Sequence, residues 1–148
     1  MKLIMLVGLP GCGKSTFAKS LESSNYVIHS CDDIRDRYNL HRLEDEQKVF
    51  DILHEEILND MKENKNIIYD STNLTRKRRI QFLELIKDFD CEKICYMFIV
   101  PVEICKNRNL KIKEYEYDIM LNGFNPPLSD EGWDRILYEI HDSNIVLL

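Results

Sequence analysis

The chain has 148 residues, 44% of them apolar and 31% charged, with a formal net charge of −6. Those proportions exclude a disordered or collagen-like chain, and the length predicts one domain, residues 1–148, around a single core. The acidic balance excludes a protein that coats nucleic acid through a broad basic surface, which must neutralise many phosphates, but it leaves room for one basic pocket.

In chain order, the first element is the apolar run "KLIMLVG" (2–8), read as a buried strand. It resembles a secretory leader only superficially, because it runs directly into a glycine loop without a small-residue cleavage site. "GLPGCGKS" (8–15) fits the pattern G-x-x-x-x-G-K-[ST] residue by residue, between a strand and a helix over Ser15 to Leu21. The expected nucleotide-binding set is Gly8, Gly11, Cys12, Gly13, Lys14, Ser15 and Thr16, with backbone N–H groups and the helix N-terminus around phosphate. Within it Lys14 reaches the β and γ phosphates of ATP or another triphosphate, Ser15 ligates Mg²⁺, and Cys12 is given no role of its own.

A second strand is predicted at "YVIHSC" (26–31). An amphipathic helix follows from Glu46 to Lys62, with Val49, Phe50, Leu53, Ile57 and Met61 on one stripe. "NIIYD" (66–70) is the third strand, and Thr75 is the expected N-cap of a helix turning Phe82, Leu83, Ile86 and Phe89 inward. "KICYMFIVP" (93–101) is the fourth strand, a short helix starts at Pro101, "GFNPPLSDEG" (123–132) breaks regular structure, and "RILYEI" (135–140) is the fifth strand. Apolar strands alternating with helices predict an α/β fold, a five-stranded parallel sheet between helical layers. No apolar run approaches the roughly 18 residues of a membrane span, so no membrane partner is expected. Five cysteines, odd in number and without zinc spacing, read as the reduced thiols of a cytoplasmic protein.

In a parallel sheet, residues just past the strands gather at one edge. Asp32 and Arg35 follow the second strand, Asp70, Thr72 and Asn73 the third, and Arg108 the fourth. Asp32 is placed to take a proton from an attacking hydroxyl; capping of the next helix by Asp32 or Asp33 is the competing use of that doublet. Asp70 ends its strand as a metal-shell carboxylate would, with a plain turn aspartate as the alternative. "RKRR" (76–79) opens a helix, where the dipole disfavours cations by up to about 1 kcal/mol each. Either the cluster is a solvated face or an anion offsets that cost, with Arg78 and Arg79 the better candidates for an acceptor.

With "GLPGCGKSTFAKS", "SCDDIRDRY", "IIYDSTNLTRKRR", "FIVPVEICKNRN" and "FNPPLSDEGWDRI" in order, the chain resembles the phage-type and bacterial 5′-polynucleotide kinases, P-loop kinases related in fold to adenylate kinase. The resemblance implies transfer of the γ phosphate of ATP to a 5′-hydroxyl end of DNA or RNA. Lys14 and Ser15 match its nucleotide and Mg²⁺ residues, Asp32 its general base, Arg35 its acceptor-site arginine and Arg108 a donor-side arginine of its small lid. Two departures stand out: Ser71 separates Asp70 from Thr72, and Ile112 stands where members often carry a second lid arginine, with Lys111 and Lys113 as the neighbouring charges. A kinase of small molecules such as nucleosides, sugars or antibiotics, or a nucleotide-binding module without catalysis, are the alternative readings.

Overall fold

The computed structural model describes residues 1–141. Five parallel strands, β1 (Lys2–Val7), β2 (Tyr26–Ser30), β3 (Asn66–Asp70), β4 (Glu92–Ile99) and β5 (Arg135–Ile140), form one sheet in the order β2-β3-β1-β4-β5. Six α-helices connect them: α1 (Lys14–Glu22), α2 (Cys31–Tyr38), α3 (Glu46–Lys62), α4 (Arg76–Leu85), α5 (Val102–Arg108) and α6 (Glu114–Asn122). A short 3-10 turn at Ser129–Glu131 interrupts the irregular stretch before β5.

The apolar run of β1 is continuous because both faces of the central strand are covered. Leu3, Met5 and Val7 point into one core with Ile34 of α2, the α3 stripe, and Phe82 and Leu83 of α4. Ile4 and Leu6 point into a second core with Ala18 of α1, Cys105 of α5 and Tyr117 of α6. All five α3 stripe residues are buried, and Thr75 caps α4 by accepting from the Arg78 N–H at 3.3 Å.

Three boundaries differ from the expectation for local reasons. β4 ends at Ile99, and Pro101 is the cap of α5 and not its first residue. α4 stops at Leu85, so Ile86 and Phe89 pack against the core from beyond the helix. α2 begins directly at Cys31 because Ser30 accepts from the Asp33 N–H at 3.3 Å. Among the described residues no helix is long and apolar enough to cross a membrane.

The chain leaves the central strand toward opposite sides of the sheet, toward β3 and β2 on one side and toward β4 and β5 on the other. Such a reversal opens a crevice outside the carboxyl ends of the strands.

Candidate active site

A cleft of about 1810 Å³ runs along that edge, larger than a pocket for one small ligand. Its floor is the loop segment from Pro10 to Gly13. Gly11 (φ 85°) and Gly13 (φ 103°) hold left-handed backbone, and a Cβ at Gly11 would strike the Cys105 carbonyl. Gly13 is also the N-cap of α1, which has no side-chain cap and no acidic residue in its first turn. Its open N–H groups and positive dipole end face the cleft, as an anion site requires.

Lys14 is buried, and its ammonium donates to the carbonyls of Gly8 and Leu9 at 2.9 Å each and to the Cys12 Sγ at 3.5 Å. Cys12 therefore has a contact the sequence did not suggest. The Ser15 hydroxyl donates to Asp70 Oδ2 at 2.8 Å, joining the start of α1 to the end of β3. Burial raises the Asp70 carboxyl above its usual range, against the Ser15 hydrogen bond and the Lys14 charge. This hydroxyl and carboxylate fit Mg²⁺, a hard cation that takes few protein oxygens and keeps waters. No cluster of three or more His, Cys, Asp or Glu side chains is present among the described residues.

Beyond β2, the capping alternative for the aspartate doublet is resolved by Ser30, which takes that task. Asp32 is left with its side chain 81% exposed to the cleft, accepting from Arg35 Nη1 at 2.8 Å. Arg35 is mostly buried, and its Nε has no partner. Asp33 turns away to Arg37, which also pairs with Glu56. Between Asp32 and Asp70 lies the Cys31 thiol, donating to Ser71 Oγ at 3.2 Å. Burial pushes this thiol up to about 11, so it stays protonated and unreactive.

The basic cluster corrects the sequence reading. Arg79 is completely buried: Nε and Nη2 grip Glu131 at 2.8 and 2.9 Å, while Nη1 and Nη2 donate to the carbonyls of Asn73 and Asn125. Arg76 pairs with Asp130 at 2.7 Å. Arg78 lies 4.1 Å over the Phe50 ring and 3.3 Å from Glu46. The anions that offset these cations at the helix start are thus the protein's own, and Arg79 meets no acceptor. Asn73 is also buried, its amide donating to the Leu6 carbonyl at 2.9 Å, so it ties β3 to β1 and does not face the cleft. Thr72 does line the cleft, and its carbonyl accepts from the Gly8 N–H at 3.0 Å.

The lid side brings residues that spacing could not reveal. Arg108 is exposed at the loop, 3.4 Å from the Gly11 carbonyl, while Ile112 packs against the second core. Tyr117 of α6, completely buried, donates to the Pro10 and Cys105 carbonyls at 3.0 and 3.3 Å, pinning α6 to the glycine loop and to α5. Arg42, in the connection between α2 and α3, reaches Glu116 of α6 at 3.1 Å across the cleft mouth. Seventy-four positions separate that pair, so only the fold could bring it together.

Three comparisons with known proteins agree with this geometry. The family model described as "AAA domain" matches residues 3–120. The L-seryl-tRNA(Sec) kinase of Methanococcus maripaludis is 27% identical over 143 residues, 89% of this chain and 56% of the relative. The chain therefore spans little more than half of that relative's length. Among solved structures, a kinase-fold protein from Chloroflexus aurantiacus superposes with a TM-score of 0.74 at 15% identity, covering 94% of this chain and 84% of that one. A chain of the Pnkp1/Rnl/Hen1 RNA repair complex superposes with a TM-score of 0.64 at 28% identity, covering 74% of this chain and 37% of its own. The architecture is the α/β fold of P-loop kinases.

Proposed function

The chain belongs to the AAA domain family matched over residues 3–120, and from that premise we propose that it moves the γ phosphate of a nucleoside triphosphate to the 5′-hydroxyl end of a nucleic acid. One observation carries the reading: an exposed carboxylate, Asp32, oriented by Arg35 at 2.8 Å, on the far side of the Ser15–Asp70 pair from the glycine loop. A nucleotide switch has no use for a base at that place, whereas an alcohol, a weak nucleophile at neutral pH, needs one.

In the step itself the acceptor oxygen forms a bond to the γ phosphorus, the bond to the β–γ bridging oxygen breaks, and Asp32 takes the hydroxyl proton. Lys14 exchanges its loop carbonyls for phosphate oxygens, and Arg108 approaches the donor from the lid. Arg35 holds Asp32 and brings the positive charge of its guanidinium to the acceptor end of the cleft, where a phosphate of the acceptor strand would lie. Ser15 and Asp70 would hold Mg²⁺, which neutralises phosphate charge when bound. Two relatives that carry RNA in their names, the seryl-tRNA kinase and the RNA repair chain, support the nucleic-acid acceptor.

A small-molecule acceptor is the second reading, favoured by a specific observation. The acceptor end is lined by Asp32, Asp36, Glu44 and Glu46, and the nearby arginines of α4 are paired internally. Label transfer from a γ-labelled triphosphate to 5′-hydroxyl RNA, 5′-hydroxyl DNA and a panel of nucleosides and sugars separates the two. Labelled oligonucleotide ends are the expected result; labelling confined to the small molecules would sink the nucleic-acid reading.

A further inference from the structure

Strand order dictates how a donor nucleotide lies in this cleft. The glycine loop follows β1 at the centre of the sheet, Asp32 and Arg35 follow β2 on one side, and β4 and β5 lie on the other. A triphosphate whose terminal phosphate faces Asp32 must carry its base over the ends of β4 and β5. There the cleft wall is Phe17, Ser20, Phe98, Val100, Glu139 and His141.

This wall is aromatic and carries one carboxylate. The Phe17 ring stacks on Tyr96 with centroids 4.5 Å apart and meets Phe98 edge-on at 5.6 Å. Glu139 is the register partner of Phe98 on the neighbouring strand. The Tyr96 hydroxyl donates to Glu139 Oε2 at 2.9 Å, and among the described residues no second hydrogen bond reaches that carboxylate. Burial and the bond to Glu139 raise the Tyr96 pKa, so the phenol remains a donor and fixes the direction of the carboxylate. The His141 N–H donates to the Ile99 carbonyl at 3.1 Å and anchors the chain just beyond.

We infer that Glu139 is a specificity residue for the donor base and that it selects guanosine over adenosine nucleotides. The inference rests on the kinase reading above for the direction of the nucleotide. Guanine presents two adjacent donors, N1–H and the 2-amino group, which match the two oxygens of a carboxylate as a bidentate pair. Oε2 has a lone pair left after accepting from Tyr96, and Oε1 has both. Adenine offers one amino donor beside the N1 lone pair, which a carboxylate repels. The aromatic wall gives either purine a flat surface, so Glu139 supplies the discrimination.

The test is equilibrium binding of the β,γ-imido analogues of GTP, ATP and ITP by calorimetry, with no acceptor present, on the wild-type protein and on Glu139→Ala and Glu139→Gln. Glu139 is exposed, so both variants are expected to fold, and thermal melting checks this. The wild type should bind the GTP analogue about tenfold or more tighter than the ATP analogue, with ITP, which lacks the 2-amino group, between them. Glu139→Ala should bring GTP to the level of ATP without weakening ATP. Equal or tighter binding of ATP by the wild type, or a guanine preference that survives Glu139→Ala, would overturn the inference alone. Failure of all three analogues to bind would overturn the donor reading along with it.

Discussion

Arg79 and Glu131 form a buried ion pair in which nearly every polar atom is used. Glu131 also accepts from Trp133 Nε1 at 3.0 Å and from the Leu128 N–H at 3.2 Å. Burial alone would raise the Glu131 carboxyl, but the bonds from Arg79 and Trp133 outweigh it and bring the pKa below its usual range. Removing one partner leaves an uncompensated buried charge, which costs about 3–5 kcal/mol, whereas removing both at similar volume is close to neutral. Arg79→Met should therefore lower stability by that amount in urea unfolding, and Arg79→Met with Glu131→Met should recover the part due to the unpaired charge but not the part due to the Trp133 N–H and the Asn73 and Asn125 carbonyls, which lose their partners; a single variant as stable as the wild type would contradict the assignment. The same pair shows what local spacing in "RKRR" leaves open. The cost of cations at a helix start was a sound signal that an anion stands nearby, but the offsetting carboxylate lies 52 positions downstream and leaves no trace in local spacing. The inward turn of Asn73 is hidden from local spacing for the same reason, since its partner, the Leu6 carbonyl, lies 67 positions away.

Elements with a strong periodic signal were legible, and those held by a few distant contacts were not. α3 could be read from its stripe because all five stripe residues face one core, and the glycine loop from a motif whose every position has a steric or electrostatic reason. α6 has only Glu116 and Tyr117 buried, so its apolar residues show no single face, and the sequence does not announce it. It is held by Tyr117 to the loop and by Glu116 to Arg42, an arrangement that sets the width of the cleft mouth. Because the Arg42 side chain is 38% exposed and Glu116 keeps the Lys113 N–H as a second partner, the pair adds about 1 kcal/mol to stability, but it ties α6 to the connection between α2 and α3. Arg42→Ala should accordingly leave the melting temperature within about 4 °C of the wild type while raising the KM for the acceptor several-fold. A large loss of stability, or unchanged kinetics, would mean that the pair does not position α6. Ile112, packed into the second core, leaves Arg108 as the one arginine of the lid segment at the loop among the described residues.

At the scale of the whole molecule, the parallel sheet turns residues scattered along the chain into a cleft with two chemically distinct ends. The rule that ligands sit beyond the carboxyl ends of parallel strands was enough to gather Lys14, Ser15, Asp32 and Asp70 from sequence alone, because it depends on strand direction and not on contacts. It could not tell which polar residues near those ends look outward, and there Thr72 and Asn73, adjacent in sequence, part company. On the proposed function, donor binding and acceptor activation are separate tasks, and Asp32 serves only the second. Single-turnover phosphoryl transfer and nucleotide affinity, measured together on Asp32→Asn, test this separation most directly. Transfer should fall by about 100-fold or more, the range for losing a general base, while the nucleotide Kd stays within twofold of the wild type. Transfer at the wild-type rate, or a loss of nucleotide affinity that matches the loss of transfer, would contradict it.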